Sequence, residues 1–215
     1  MEERDERIYF PPAEERINII THGLGIPLSI LALIFLIPNA LGNGDRLDLI
    51  SSIIFGTSLI MVYAASTFFH STQNPKLRRR FNIFDHASIY VLIAGTYTPF
   101  ALITLEGRIG WIIFVVIWTL AIIGIIFKIL YIGKYRLLST LFYVMMGWLI
   151  IGAVKPLIAN LPYYGLLWLL AGGLSYTIGA ILYSNRKIKF NHAIFHVFVL
   201  IGSFCHFMAI YFYVL

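Results

Sequence analysis

Charge is scarce in this sequence. Only 12% of its 215 residues are charged, about half the share of an ordinary soluble domain. That shortage excludes a solvated globular surface of normal composition. Cysteine is scarcer still: Cys205 is the single copy, so no disulfide can form within the chain. Cys205 itself reads as a packed, inert helix residue. There is no low-complexity tract, no internal repeat strong enough to argue from, and no polar stretch long enough to form a separate soluble domain. A secretory signal is not evident either. Residues 1–16 carry six acids and three arginines, and no convincing small-residue cleavage site follows the first apolar run. That run is expected to be a retained helix.

What the chain has in abundance is hydrophobic residues, 60% of the total. They fall into seven runs, expected as helices at about 17–38, 49–70, 83–104, 110–130, 137–155, 163–183 and 191 to the end. Each is long enough to cross a bilayer core of about 30 Å. Lys155-Pro156 is expected to close the fifth. The fold class is therefore all-α: a polytopic membrane protein, with a short tail at 1–16 and a single seven-helix transmembrane domain at 17–215. The net charge of +6 then bears on topology and anionic headgroups rather than on nucleic acid. Arg4, Arg7, Arg16, Lys76, Arg78, Arg79, Arg80, Lys128, Lys134, Arg136, Arg186, Lys187 and Lys189 fall on one side of the alternating loops. Arg46, Arg108 and Lys155 fall on the other. This asymmetry predicts an N-terminus inside, a C-terminus outside, and a multi-pass protein of the cell membrane.

Against that background the polar residues are informative. Asp85 is the one acid expected within the embedded part, at the start of the third helix. His70 ends the second helix, and His192 and His196 open the seventh. All four then share one depth on the cytoplasmic side. Residues four apart lie on one helical face, so His192 and His196 can reach one point, and Ser66 lies one turn deeper than His70. Three neutral imidazoles with an open fourth position are the usual arrangement of catalytic zinc, which acidifies the water it holds. Asp85 is expected to take that water's proton or to orient a ligand. Ser66 is expected to hydrogen-bond Asp85 or a substrate carbonyl. Two alternatives stay open: histidines at helix ends that meet headgroups without any metal, and Asp85 as an acid favoured by the helix dipole. His86 and His206 read as packing residues. His22, with Asn18 on the same face, reads equally as support for the site or as a helix–helix contact. The triplet Arg78, Arg79, Arg80 reads as a topology determinant facing anionic lipid.

Four segments carry a family likeness: EERINIITHGLG at 14–25, STFFH at 66–70, FDHASIYVLIAGTYTPF at 84–100 and HAIFH at 192–196. On these the chain resembles the haemolysin III family, the bacterial branch of the progestin and adiponectin receptor superfamily, over essentially its whole length. The resemblance implies seven helices with the N-terminus inside and one buried Zn2+ near the cytoplasmic side. His70, His192 and His196 would be its ligands, with Asp85 beside the metal-held water and Ser66 as the serine of the SxxxH element. It is also similar to alkaline ceramidases, which implies hydrolysis of a lipid amide or ester. Membrane lipids are then the expected partners and one of them the substrate. Two further readings stand beside this: a receptor-like or membrane-regulating protein in which zinc is structural, and the cytolysin that the family name implies. Imidazole suits several metals, so zinc rests on the resemblance rather than on ligand type.

Overall fold

The computed structural model describes residues 9–131, 134–185 and 187–215. Arg4, Arg7 and Arg186, counted above in the charge asymmetry, lie outside the described residues, as does the first half of the expected tail. Among the described residues there are helices and turns and no strand. The helices are α1 (Pro12–Asn43), α2 (Arg46–Ser71), α3 (Pro75–Pro99), α4 (Gly107–Leu130), α5 (Arg136–Gly147), α6 (Val154–Asn160), α7 (Tyr163–Ser184) and α8 (Asn191–Tyr213). A wide turn at Phe100–Thr104 extends α3, and a tight turn at Leu149–Ala153 joins α5 to α6. The fifth span thus consists of α5, this turn and α6. Among the described residues, seven segments are long and apolar enough to cross a membrane.

Two helices start earlier than their apolar runs, and local chemistry explains both. Proline is favoured in the first helical turn, where no amide donor is needed, and acids there suit the helix dipole. Pro12 with Glu14 and Glu15 therefore begins α1 ahead of residue 17. Asn74 caps α3 by accepting from the amides of Lys76 and Leu77, and Pro75 follows it. The segment PKLRRR is accordingly helix rather than loop. At the other end of α1, Gly44 takes φ 78°, a left-handed conformation open to glycine, and Asp45 then caps α2 through the amide of Leu47.

The fifth span departs further from expectation. It does not end at Lys155-Pro156 but continues to Asn160, with a break in its middle. A break inside lipid leaves backbone groups without partners unless something supplies them. Tyr97 on α3 does so: its hydroxyl donates to the Gly147 carbonyl at 2.9 Å and accepts from the Ile150 amide at 2.8 Å.

In packing, α1 lies against α2 and α8, α2 against α3, α3 against α4, and α7 against α8. The most enclosed span is α3, whereas α4 and the fifth span are mostly exposed. Outward faces carry large apolar side chains, such as Ile20, Leu24, Leu28, Leu31 and Phe35 along α1. A belt of this kind is stable in hydrocarbon, not in water. Inside, Leu36, Phe55, Leu59, Tyr63, Leu92 and Phe100 form the centre of the main core. Gly25 brings α1 close to α2 here, since a Cβ at this position would lie 2.5 Å from the Tyr63 ring.

Candidate metal centre

Helices α2 and α8 bring three imidazoles to one point. The Nε2 atom of His192 lies 3.1 Å from Nε2 of His70 and 3.1 Å from Nε2 of His196. All three residues are buried, and one ligand atom from each lies within 4.8 Å of the others. Nitrogens held about 2.0–2.1 Å from a tetrahedral ion lie about 3.3 Å apart, so this spacing fits a cation between them.

The tautomers support the fit. A carboxylate oxygen of Glu15 lies 2.6 Å from Nδ1 of His70 and can only accept. The His70 proton is therefore on Nδ1, which leaves a lone pair on Nε2. Thr21 donates its hydroxyl proton to the Ile17 carbonyl at 2.8 Å. Its oxygen is then free to accept from Nδ1 of His196, 3.3 Å away, and His196 too presents a lone pair from Nε2. Asn18 places its side-chain amide 3.4 Å from His70 Nδ1; with the amide oxygen turned inward it is a second acceptor. Both lone pairs face Nε2 of His192, where a bound cation or the His192 N–H satisfies them. Partners of this type fix ring orientation and raise ligand basicity in metal sites.

Glu15 is itself held. Arg78, 1% exposed, pairs with its carboxylate and donates to the carbonyls of Phe69, His70 and Thr72 at 3.1, 3.3 and 3.1 Å. Arg78 is therefore not a lipid-facing topology residue as the sequence suggested, although Arg79 and Arg80 are exposed. It closes the end of α2 and anchors the carboxylate that orients His70. Its guanidinium also lies 4.5 Å from the Tyr9 ring and 4.7 Å from the Phe69 ring. Next to Tyr9, the Phe10 ring stacks on His192 at 4.5 Å and 20°, so the segment entering α1 covers the histidines.

Of the remaining expected site residues, Asp85 is buried and lines a cavity of about 420 Å³ together with His22, His192 and His196. It is not one of the grouped donor atoms. Its neighbours are the Ser66 hydroxyl and the Lys128 ammonium. Ser66 is fully buried, approaches Asp85 without a closed hydrogen bond, and does not line the cavity. His86 does line it; its Nδ1 donates to the Asn82 carbonyl at 2.9 Å and lies 3.6 Å from Asp85. Lys128, read from the sequence as a cation at the inner ends of the helices, is buried and lies 3.3 Å from the Ser139 hydroxyl.

Glu15, Thr21, Arg78 and Lys128 were not singled out from the sequence. Two signals pointed to the first three. Glu15, Asn18 and His22 recur at intervals of three and four, which makes one stripe on α1. Arg78 shares the face of Asn82 and Asp85 at intervals of four and three, as Arg79 and Arg80 do not.

The comparisons agree with this geometry in extent. A family model described as haemolysin-III related matches residues 10–207. The chain is 52% identical over 202 residues to a protein named Hemolysin-3 from Bacillus cereus, covering 94% of this chain and 92% of that one. It is 48% identical over 204 residues to a Hemolysin-3 homolog from Bacillus subtilis strain 168, covering 95% and 96%. The human monocyte to macrophage differentiation factor is 32% identical over 184 residues, covering 80% and 73%. With seven helices able to span a bilayer and a match over nearly its whole length, this chain belongs to the haemolysin III-related family of multi-pass membrane proteins.

Proposed function

We propose that this protein is a metal-dependent hydrolase of a lipid amide or ester, with His70, His192 and His196 holding one zinc ion near the cytoplasmic face. The observation that carries the reading is the convergence of three Nε2 atoms beside a mostly apolar cavity that also contains a carboxylate. A bound divalent ion supplies Lewis acidity there, which polarises a carbonyl and acidifies water. The chain's own residues do the rest. Asp85 accepts a proton from the attacking water and returns it to the departing amine or alcohol. Ser66, away from the cavity wall, holds the Asp85 carboxylate in place. Phe10 covers the histidines from the outside. Ile89, Leu92, Phe100 and Leu169 on the cavity wall take the acyl chain.

The test is turnover by protein purified in detergent, offered N-acyl and ester lipids in mixed micelles. Hydrolysis that disappears in Asp85→Asn with metal content unchanged supports the reading. Equal turnover by wild type and that variant, or by protein stripped of metal, refutes it.

A second reading rests on a specific feature. The histidines and their acceptors tie α1, α2 and α8 together. A cation there would staple three helices in a receptor-like or membrane-regulating protein that performs no chemistry. Chelation would then lower the melting temperature while no lipid is hydrolysed. The name of the bacterial relatives points to cytolysis, but the apolar belt gives no surface suited to release through water.

A further inference from the structure

The three candidate ligands are shielded: His70, His192 and His196 are 0%, 4% and 1% exposed. An ion joins or leaves them only when something over them moves. Two separate spaces meet at this point. His192 and His196 line the cavity of about 420 Å³, whereas His70 does not. His70 instead lines a vestibule at the start of α1, together with the polar side chains of Tyr9, Glu15, Arg16, Gln73 and Arg78. Arg16 and Gln73 are exposed, so the vestibule meets solvent beside them.

The two spaces differ in what they admit. The cavity wall is mostly apolar, and a divalent ion passing along it would shed its water with few groups to replace it. The vestibule offers charged and amide groups, and its cover is slight. Phe10 lines the vestibule and also lies against two of the ligands, stacked on His192 at 4.5 Å and tilted on His70 at 5.5 Å. It precedes α1 and so lies outside the helical frame. Its amide donates to Oε1 of Glu15 at 3.3 Å, a long hydrogen bond.

We infer that this vestibule is the route by which a divalent metal ion reaches and leaves the three histidines, with Phe10 as the cover that lifts. Lifting Phe10 breaks one ring stack and one long hydrogen bond, and it leaves every helix in place. The charges on the route set its speed. Glu15 and Arg78 pair with each other, which leaves Arg16 as the excess charge of the lining. A cation therefore meets repulsion at the rim and nitrogen lone pairs beyond the cover, so Arg16 slows entry. The cavity on the far side of the histidines stays free for an apolar occupant. The inference rests on the reading of the histidines as a metal site, but it requires no turnover.

The test uses full-length protein in detergent and zinc itself as the probe. Release is timed by transfer to excess chromophoric chelator, and uptake by stripped protein is timed against a fluorescent zinc indicator. Phe10→Ala is expected to speed both by about three- to tenfold, the worth of one aromatic stack, and to leave the affinity unchanged. Arg16→Glu, at an exposed position, is expected to speed uptake about fivefold at low ionic strength and to lose that gain in high salt. Arg108→Glu, exposed at the other end of the spans, is the control and is expected to change neither rate. Exchange in Phe10→Ala at the wild-type rate overturns the inference. So does uptake by Arg16→Glu that matches Arg108→Glu, a comparison that disturbs no buried contact. Wild-type protein that binds no zinc refutes the metal reading itself, and this inference with it. Protein that exchanges zinc past Phe10 but hydrolyses nothing refutes the hydrolase reading alone.

Discussion

Glu15→Ala tests the site at its carboxylate support. The carboxylate has two partners, Nδ1 of His70 and the buried guanidinium of Arg78. Its removal acts on affinity and stability separately. Loss of a partner that orients a metal-ligating histidine typically weakens metal binding about 10- to 100-fold, or about 1.4–2.7 kcal/mol. Stability also falls, because Arg78 stays buried without its counter-charge. Breaking a buried pair from one side costs roughly 3–5 kcal/mol. The lower end applies here, since three carbonyls and two aromatic faces still surround the guanidinium and the Glu15 side chain is 15% exposed. At about 2–4 °C per kcal/mol for a chain of this size, the melting temperature falls by about 6–12 °C. Glu15→Gln separates the two effects, because it keeps an oxygen for the His70 N–H and loses the charge. It is expected to bind metal nearly as well as wild type while melting lower. The assay is competition for zinc against a chromophoric chelator, with melting followed by tryptophan fluorescence. If Glu15→Ala binds zinc within twofold of wild type while His70→Ala binds none, the carboxylate does not orient the ligand and the tautomer argument fails.

Other expectations follow from single contacts. Thr21→Val removes the acceptor for His196 and is expected to weaken zinc binding about tenfold, whereas Thr21→Ser retains it; the same competition decides. His196→Ala is expected to abolish bound metal by elemental analysis, and chelation of wild type should then lower its melting temperature where it leaves the variant unchanged. Tyr97→Phe leaves the Ile150 amide and Gly147 carbonyl without partners, a loss of about 1–3 kcal/mol, expected as a drop of a few degrees with metal content intact. Orientation is checked in a Cys205→Ser background. Gln73→Cys, on the histidine side, should resist a membrane-impermeant thiol reagent in intact cells, and Glu106→Cys should react.

Much of this architecture was legible because hydrophobic runs report span number directly. The histidines were legible because helical spacing and common depth are both properties of the sequence. What surrounds them was not. Arg78 sits in a run of three arginines, and only the rotation of α3 decides which one enters the protein. Lys128 and Glu15 looked like ordinary ends of a span and a tail, because a run's apolar limits do not show where its helix starts or which way a terminal charge points. The break in the fifth span has no proline at its centre. The partner that satisfies it is a tyrosine on another helix, and such a partner is invisible to local pattern.

The aromatic pair at Tyr9 and Phe10 has a practical consequence. Phe10 covers the histidines and Tyr9 covers Arg78, so a truncation that removes these two residues uncovers the site, however far from it they look in the sequence. Preparations extended at the opposite end leave this cover as it is.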